Sequence, residues 1–260
     1  MLKKQNYLFS LLTVCLLLIL LSSAEVWAHD KSAHPWGYEG GEGPEHWGEI
    51  ERDHEKHLMC RQGRSQSPVD FGDVLGLKSA PLKCNYTDTS MRIINNSHTI
   101  HVGYDSGNYA NWGNKKFELI QFHFHHPSEH TVKGKHFDME MHMVHKAQDD
   151  QYVVIGVLMK KGKHHAALQK IWDRIPEAIN KEVTYEDARI NVADFLPAVK
   201  KYYHYDGSLT TPPCSENVSW FVLEDSVEIS EDQIRYFQKF IDHNSRPVQK
   251  LNHRILTKIP

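Results

Sequence analysis

Cysteine is scarce: four stand among 260 residues, which excludes a small scaffold held together by dense disulfides. An excess of one charge is also lacking. Thirty Lys and Arg face 33 Asp and Glu, for a net charge of −3, so nothing points to a nucleic-acid partner. No internal repeat and no long Pro, Gly or Ser linker divides the chain. Beyond the first residues no apolar run resembles a membrane span. What remains, at 40% hydrophobic and 24% charged residues, is ordinary globular composition. The length suffices for one large domain with a real core.

Residues 1–28 read as a secretory signal peptide. Lys3 and Lys4 supply positive charge, an apolar run follows from Leu8 to Leu21, and Val26 and Ala28 are small residues suited to cleavage after Ala28. The alternative, a retained anchor, meets an apolar run somewhat short for a bilayer. Cys15 has no small residues just before it, against lipoprotein processing. The expectation is a mature domain of residues 29–260, secreted to the periplasm, with no membrane attachment after cleavage. Export places Cys60, Cys84 and Cys214 in an oxidising compartment. Three is odd, so at most one bridge forms within the chain, and the residues alone do not choose the pair.

Period-two alternation marks strands in MRIINNSHTIHVGY, KFELIQFHFHH, DMEMHMVHKA, YVVIGVLMK and VSWFVLED. Turn clusters such as YDSGN, VKGK and QDDQ separate them. Helical pattern is confined to about 166–179 and 230–242, where Ser230 and Gln233 form a capping-box signature. The fold class expected is mainly β, a single domain with short peripheral helices.

Histidine is the surplus residue, at 19. Four fall within LIQFHFHHPSEH (119–130). Alternation along a strand puts Gln121, His123 and His125 on one face and Phe122, Phe124 and His126 on the other. Residues at i and i+2 lie roughly 7 Å apart, at about 3.3 Å of rise each, close enough for two rings to converge on one ion. On a neighbouring antiparallel strand, reached through VKGK, Glu140, His142 and Val144 share a face. Met139, Met141, Met143 and His145 share the core face. His123, His125 and His142 thus form a candidate three-histidine centre with an open fourth position, the pattern of a catalytic zinc. Gln121 and Glu140 stand ready to hold the ligands' second nitrogens. The competing reading is three polar residues on a solvated sheet face.

In order and spacing, QFHFH, SEH, EMHMVH and GSLTTPPC resemble the α-class carbonic anhydrases. GPEHW (43–47), SQSPVD (65–70), NNSH (95–98), VVIGVLMK (153–160), SW (219–220) and NSRP (244–247) extend the resemblance over almost the whole mature chain. It implies a central, mostly antiparallel ten-stranded twisted sheet. It also implies one Zn2+ per chain, held by His123, His125 and His142 at the foot of a cleft. The implied reaction is reversible hydration of CO2 to bicarbonate and a proton, through attack by zinc-bound hydroxide.

On the same resemblance Thr210 orients the nucleophile, donating its proton to Glu129, and Thr211 lines the bicarbonate and inhibitor site. Val144, Val154, Leu209 and Trp220 form an apolar wall for CO2, though from the residues alone each reads as ordinary core. His98 is the implied proton shuttle, suited by an imidazole's ordinary pKa near 6.5, and Tyr38 helps order the water chain. On a regular strand His98 would share a face with Ile100, and Thr99 with His101; His101 is a second shuttle candidate. Cys60 and Cys214 match the bridged pair of secreted members, leaving Cys84 as a buried thiol. Cis bonds are implied at Ser67–Pro68 and Pro212–Pro213. Sulfonamides and small anions are the expected inhibitors, and a homodimer is allowed. The chain departs from many relatives at His126, Ser245 and His130, none of which is assigned a role. Two other functions fit the residues less well: a non-catalytic binding module on this fold, and a zinc-buffering protein with several ions per chain.

Overall fold

The computed structural model describes residues 36–52, 55–76, 81–197 and 201–259. The signal-peptide expectation lies outside them. Ten strands follow one another across the main sheet. In chain order they are β1 (Leu75–Gly76), β2 (Thr89–Asn95), β3 (Ile100–Gly103), β4 (Lys115–His125), β5 (Met139–Lys146), β6 (Tyr152–Lys161), β7 (Val183–Ile190), β8 (Tyr202–Gly207), β9 (Val218–Leu223) and β10 (Thr257–Ile259). Their spatial order is β7-β2-β3-β4-β5-β6-β9-β8-β10-β1. The pairings β6–β9 and β10–β1 are parallel, and the other neighbours run antiparallel. Lys83–Asn85, Tyr109–Trp112 and Val227–Ile229 pair onto this path, for thirteen strands among the described residues.

Side-chain period places the core. Met139, Met141 and Met143 of β5 and Phe122 and Phe124 of β4 are all 0% exposed within one apolar cluster. Each such side chain contributes about 1.5–3 kcal/mol by leaving water. In β4 the buried set switches from Phe117 and Leu119 to Phe122 and Phe124. The switch coincides with a bulge against β5: Val144 faces Gln121 while His145 faces Leu119, leaving Ile120 over. One extra residue flips every later side chain to the other face. That flip is what brings Gln121, His123 and His125 onto the side opposite the phenylalanines.

Two helices cover the core face. They are α2 (Ala166–Trp172) and α3 (Glu231–Gln238), after the short α1 (Met59–Gln62). Trp172 stacks on Phe237 at 5.6 Å and meets Phe124 at 4.9 Å. Both helices are shorter than their sequence pattern. Pro176 disfavours helical backbone at Ile175, and α2 has ended at Trp172. Past α3 the chain tightens to an i−3 bond, Phe240 N–H to Phe237 O. The capping box at Ser230 and Gln233 is present as expected. VKGK turns a short hairpin of its own, Thr131–Val132 with Lys135–His136, between β4 and β5.

Candidate active site

The register of β4 and β5 sets the site. His142 lies opposite His123, and Glu140 opposite His125. Ring centroids are 5.3 Å apart for His123 and His142, 5.0 Å for His123 and His125, and 4.5 Å for His125 and His142. One nitrogen from each ring falls within 4.8 Å of the others.

Each ring is oriented by an acceptor at its second nitrogen. His123 Nδ1 donates to Gln121 Oε1 at 2.9 Å, His125 Nδ1 to the Asn244 carbonyl at 2.7 Å, and His142 Nε2 to Glu140 Oε1 at 2.9 Å. The nitrogens left to converge are therefore Nε2, Nε2 and Nδ1, each with its lone pair. Burial lowers the pKa of all three rings, His125 to about 4 and His123 well below 6.5, where neighbouring His101, His125 and His142 add to the effect. Neutral donors result. His125 Nε2 is buried with no hydrogen-bond partner, a cost that coordination to a cation removes. Three neutral imidazoles with fixed tautomers suit zinc, which takes nitrogen ligands in this number at catalytic centres.

Behind the three rings, Glu140 accepts from His130 twice, from the backbone at 2.9 Å and from Nδ1 at 2.8 Å. His130 Nε2 in turn meets the Tyr205 hydroxyl at 2.6 Å. Burial alone would raise Glu140, but His130 and His142 outweigh it and hold the carboxyl well below 4.5. On β6, Gly156 lies opposite His142. A Cβ there would stand 2.9 Å from Glu140 Oε1 and 3.0 Å from Val222.

Glu129 is fully buried beside the same rings. One oxygen accepts the Arg246 N–H at 2.9 Å, and the other lies 3.6 Å from His125 Nε2 and 3.8 Å from His142 Nδ1. Burial pushes its pKa up to about 7, against the opposing pull of His142 and of a hydrogen bond from Thr210. The loop carrying Thr210 is pinned on both sides. Leu209 N–H bonds to Ser215 O, Ser67 N–H to Ser208 Oγ, and Cys214 joins Cys60 through a disulfide. Thr211 is half-buried on this loop. Cis bonds occur at Ser67–Pro68 and Pro212–Pro213, and also at His126–Pro127.

A scan of family models matches residues 42–259 to eukaryotic-type carbonic anhydrase. A carbonic anhydrase of Nostoc sp. is 44% identical over 226 residues, covering 85% of this chain and 84% of the relative. The chain belongs to the α-carbonic anhydrase family. Its fold superposes on that of a hyperthermostable carbonic anhydrase from a hydrothermal vent chimney with a TM-score of 0.83, at 44% identity over 87% of this chain and 100% of the other. The α-carbonic anhydrase of Thermovibrio ammonificans, solved with the inhibitor sulfanilamide, gives 0.82 at 43% identity over 86% and 99%. The chain is thus a carbonic anhydrase, an enzyme of reversible CO2 hydration.

The residues expected to form the apolar wall of this carbonic anhydrase gather as a unit. Val144, Val154 and Trp220 lie in register on β5, β6 and β9, with half-buried Leu209 packed against them. Trp220 also lies 4.8 Å from the His142 ring. His98 stands outside the three-histidine cluster, stacked on Trp36 at 3.9 Å and 9°. It does not share a face with Ile100: Ser97 has φ of 67°, so strand geometry begins only at Ile100, which is buried in the core. His101 does face the site, stacked on His123 at 5.0 Å. Tyr38 packs with Trp36 and Trp47, and burial, reinforced by the charge of Glu129, raises its phenol well above 10. Cys84, expected to be buried, is half-buried on the strand Lys83–Asn85 because that strand pairs on one side only.

Sequence reasoning passed over three participants: Asn244, His130 and Arg246. His126 points away from the cluster, its Nδ1 donating to Asp138 O at 2.7 Å. His130 sat in the quoted SEH, and Asn244 and Arg246 in the quoted NSRP. A buried Arg246, bonded to Gln66, Ser67 and Cys60, links the disulfide to Glu129 through its own N–H.

Proposed function

We propose that the chain is an exported, zinc-dependent carbonic anhydrase in which His123, His125 and His142 hold the ion and His98 carries the product proton to buffer. The observation that carries this reading is the convergence of three neutral imidazole nitrogens, each ring locked by Gln121, Asn244 or Glu140. When bound, zinc supplies a Lewis acid that makes water acidic near neutral pH, an effect for which carbonic anhydrase is the reference case.

The chain's own residues do the rest. Once a positive charge sits beside it, Glu129 becomes an ionised, acceptor-only partner. The Thr210 proton then points to Glu129, and the Thr210 oxygen is left to accept from the reacting group alone. Val144, Val154, Leu209 and Trp220 offer an uncharged substrate a dry surface, and Thr211 lines the place of bicarbonate. His98, stacked on Trp36 away from the ligands, accepts the proton and releases it to buffer; Tyr38 supports the water path between. The sulfanilamide complex of the Thermovibrio relative supports inhibition by sulfonamides. Export is supported by the N-terminal leader pattern and by the Cys60–Cys214 disulfide.

Zinc content measured together with CO2 hydration tests the assignment. One zinc per chain with catalysed hydration is expected; one zinc with hydration at background overturns it, and several ions per chain favour a buffering role. His98→Ala should slow turnover most at low buffer, with rescue by imidazole.

A further inference from the structure

Asn244 is fully buried and engages every polar atom it has. Its backbone N–H donates to His126 O at 3.0 Å, and its carbonyl accepts from His125 Nδ1 at 2.7 Å. The side chain works separately. Oδ1 accepts the His126 N–H at 2.7 Å, while Nδ2 donates to His98 O at 2.8 Å and to Phe124 O at 2.9 Å. Only this orientation of the amide pairs donors with acceptors, so the two ends are not interchangeable.

The place matters because regular pairing stops there. β3 and β4 are in register from His101 and His123 onward, but the turn at Ser97 leads the His98 segment away from the strand. The Asn244 NH2 group bridges the two, with one hydrogen on Phe124 O between His123 and His125 and the other on His98 O, beside the Thr99 hydroxyl, which bonds the Phe124 main chain but leaves His98 O to Asn244. From the opposite side Asn96 Oδ1 accepts the N–H groups of His98 at 3.0 Å and Thr99 at 2.8 Å. The His98 peptide is therefore gripped at both its N–H and its C=O.

We propose that Asn244 is a positioning residue for proton transfer: beyond the hold of its main chain on His125, its side-chain amide fixes the turn that carries His98. The inference rests on the reading of His98 as proton carrier. Proton transfer between fixed groups is sensitive to placement, and a shift of an ångström alters rates strongly.

Asn244→Asp tests this with little change of shape. The carboxylate still accepts from His126, but its second oxygen has no hydrogen for His98 O and Phe124 O. Asn244→Ser removes the reach without adding charge, should a buried carboxylate hinder folding. Both retain the main-chain carbonyl at His125. CO2 hydration would be followed at high and low buffer on the zinc-loaded enzyme. Imidazole C–H resonances of His98, assigned by their loss in His98→Ala, report whether the ring stays on Trp36. The low-buffer rate should fall about fivefold or more beyond any fall at high buffer, imidazole should restore it, and the His98 resonances should move toward those of an unstacked ring. Equal losses at both buffer levels with unmoved resonances overturn the proposal. If His98→Ala shows no low-buffer defect, the shuttle reading fails instead, and the resonances alone decide whether Asn244 holds the turn.

Discussion

His142 and His145 stand three residues apart on β5, both buried and both with lowered pKa, yet they end in opposite circumstances. On the core face His145 is closed at both nitrogens: Nδ1 donates to Met143 O at 3.0 Å and Nε2 meets the Tyr86 hydroxyl at 2.8 Å. On the site face His142 is held at Nε2 by Glu140, while Nδ1 turns toward the other two rings. Burial alone does not distinguish a structural histidine from a ligand. The nitrogen left over after the hydrogen bonds are assigned does.

The largest contrast comes from cutting each ring away. His142→Ala should lose bound zinc and bring CO2 hydration to background, while His145→Ala keeps both and loses about 2–4 kcal/mol of stability. Zinc analysis beside denaturant unfolding reads both halves.

Next in size is a pH effect carried by the closed ring. His145 has a folded pKa of about 4 against 6.5 when unfolded, because burial disfavours its charged form. The unfolded chain therefore takes up a proton that the native state refuses. Stability from this group is complete above pH 6.5 and declines as pH falls toward 4, by about 3 kcal/mol in total. Unfolding curves of wild type and His145→Gln across that window should differ in slope accordingly; parallel curves would refute the closed-ring account.

The smallest effect separates the two rings' partners. Glu140→Gln should weaken zinc binding about 10–100-fold, whereas Tyr86→Phe should leave zinc affinity alone and cost about 1 kcal/mol. Competition titration with a chelating dye, paired with melting curves, measures the difference.

Much of this division was legible in the sequence. Alternation separated Glu140, His142 and Val144 from the methionines, and Gln121, His123 and His125 from Phe122 and Phe124, because side-chain parity is a local property of extended chain. It held even though a bulge at Ile120 rephases β4, since Gln121, His123 and His125 all lie beyond the bulge. Placing His98 and Ile100 on one face required a regular strand, and a positive φ at Ser97 leaves none to alternate on before Ile100. Asn244 and Arg246 were beyond local reasoning altogether. The first orients His125 by a main-chain carbonyl 119 residues away, a contact for which side-chain type carries no signal. His130 was assigned no role, because its partners Glu140 and Tyr205 come from other strands. The family resemblance located Thr210 and Glu129, which periodicity could not have paired.

Gly156 adds a constraint of a different kind. The carboxylate that holds His142 stands 2.9 Å from where any other residue at position 156 would carry its first carbon, and its bonds to His130 leave it no easy retreat. A single methyl group there, on the strand next to His142, would act on the proposed zinc site through Glu140. The site's mutational target is therefore wider than the residues that line it, and position 156 falls inside it.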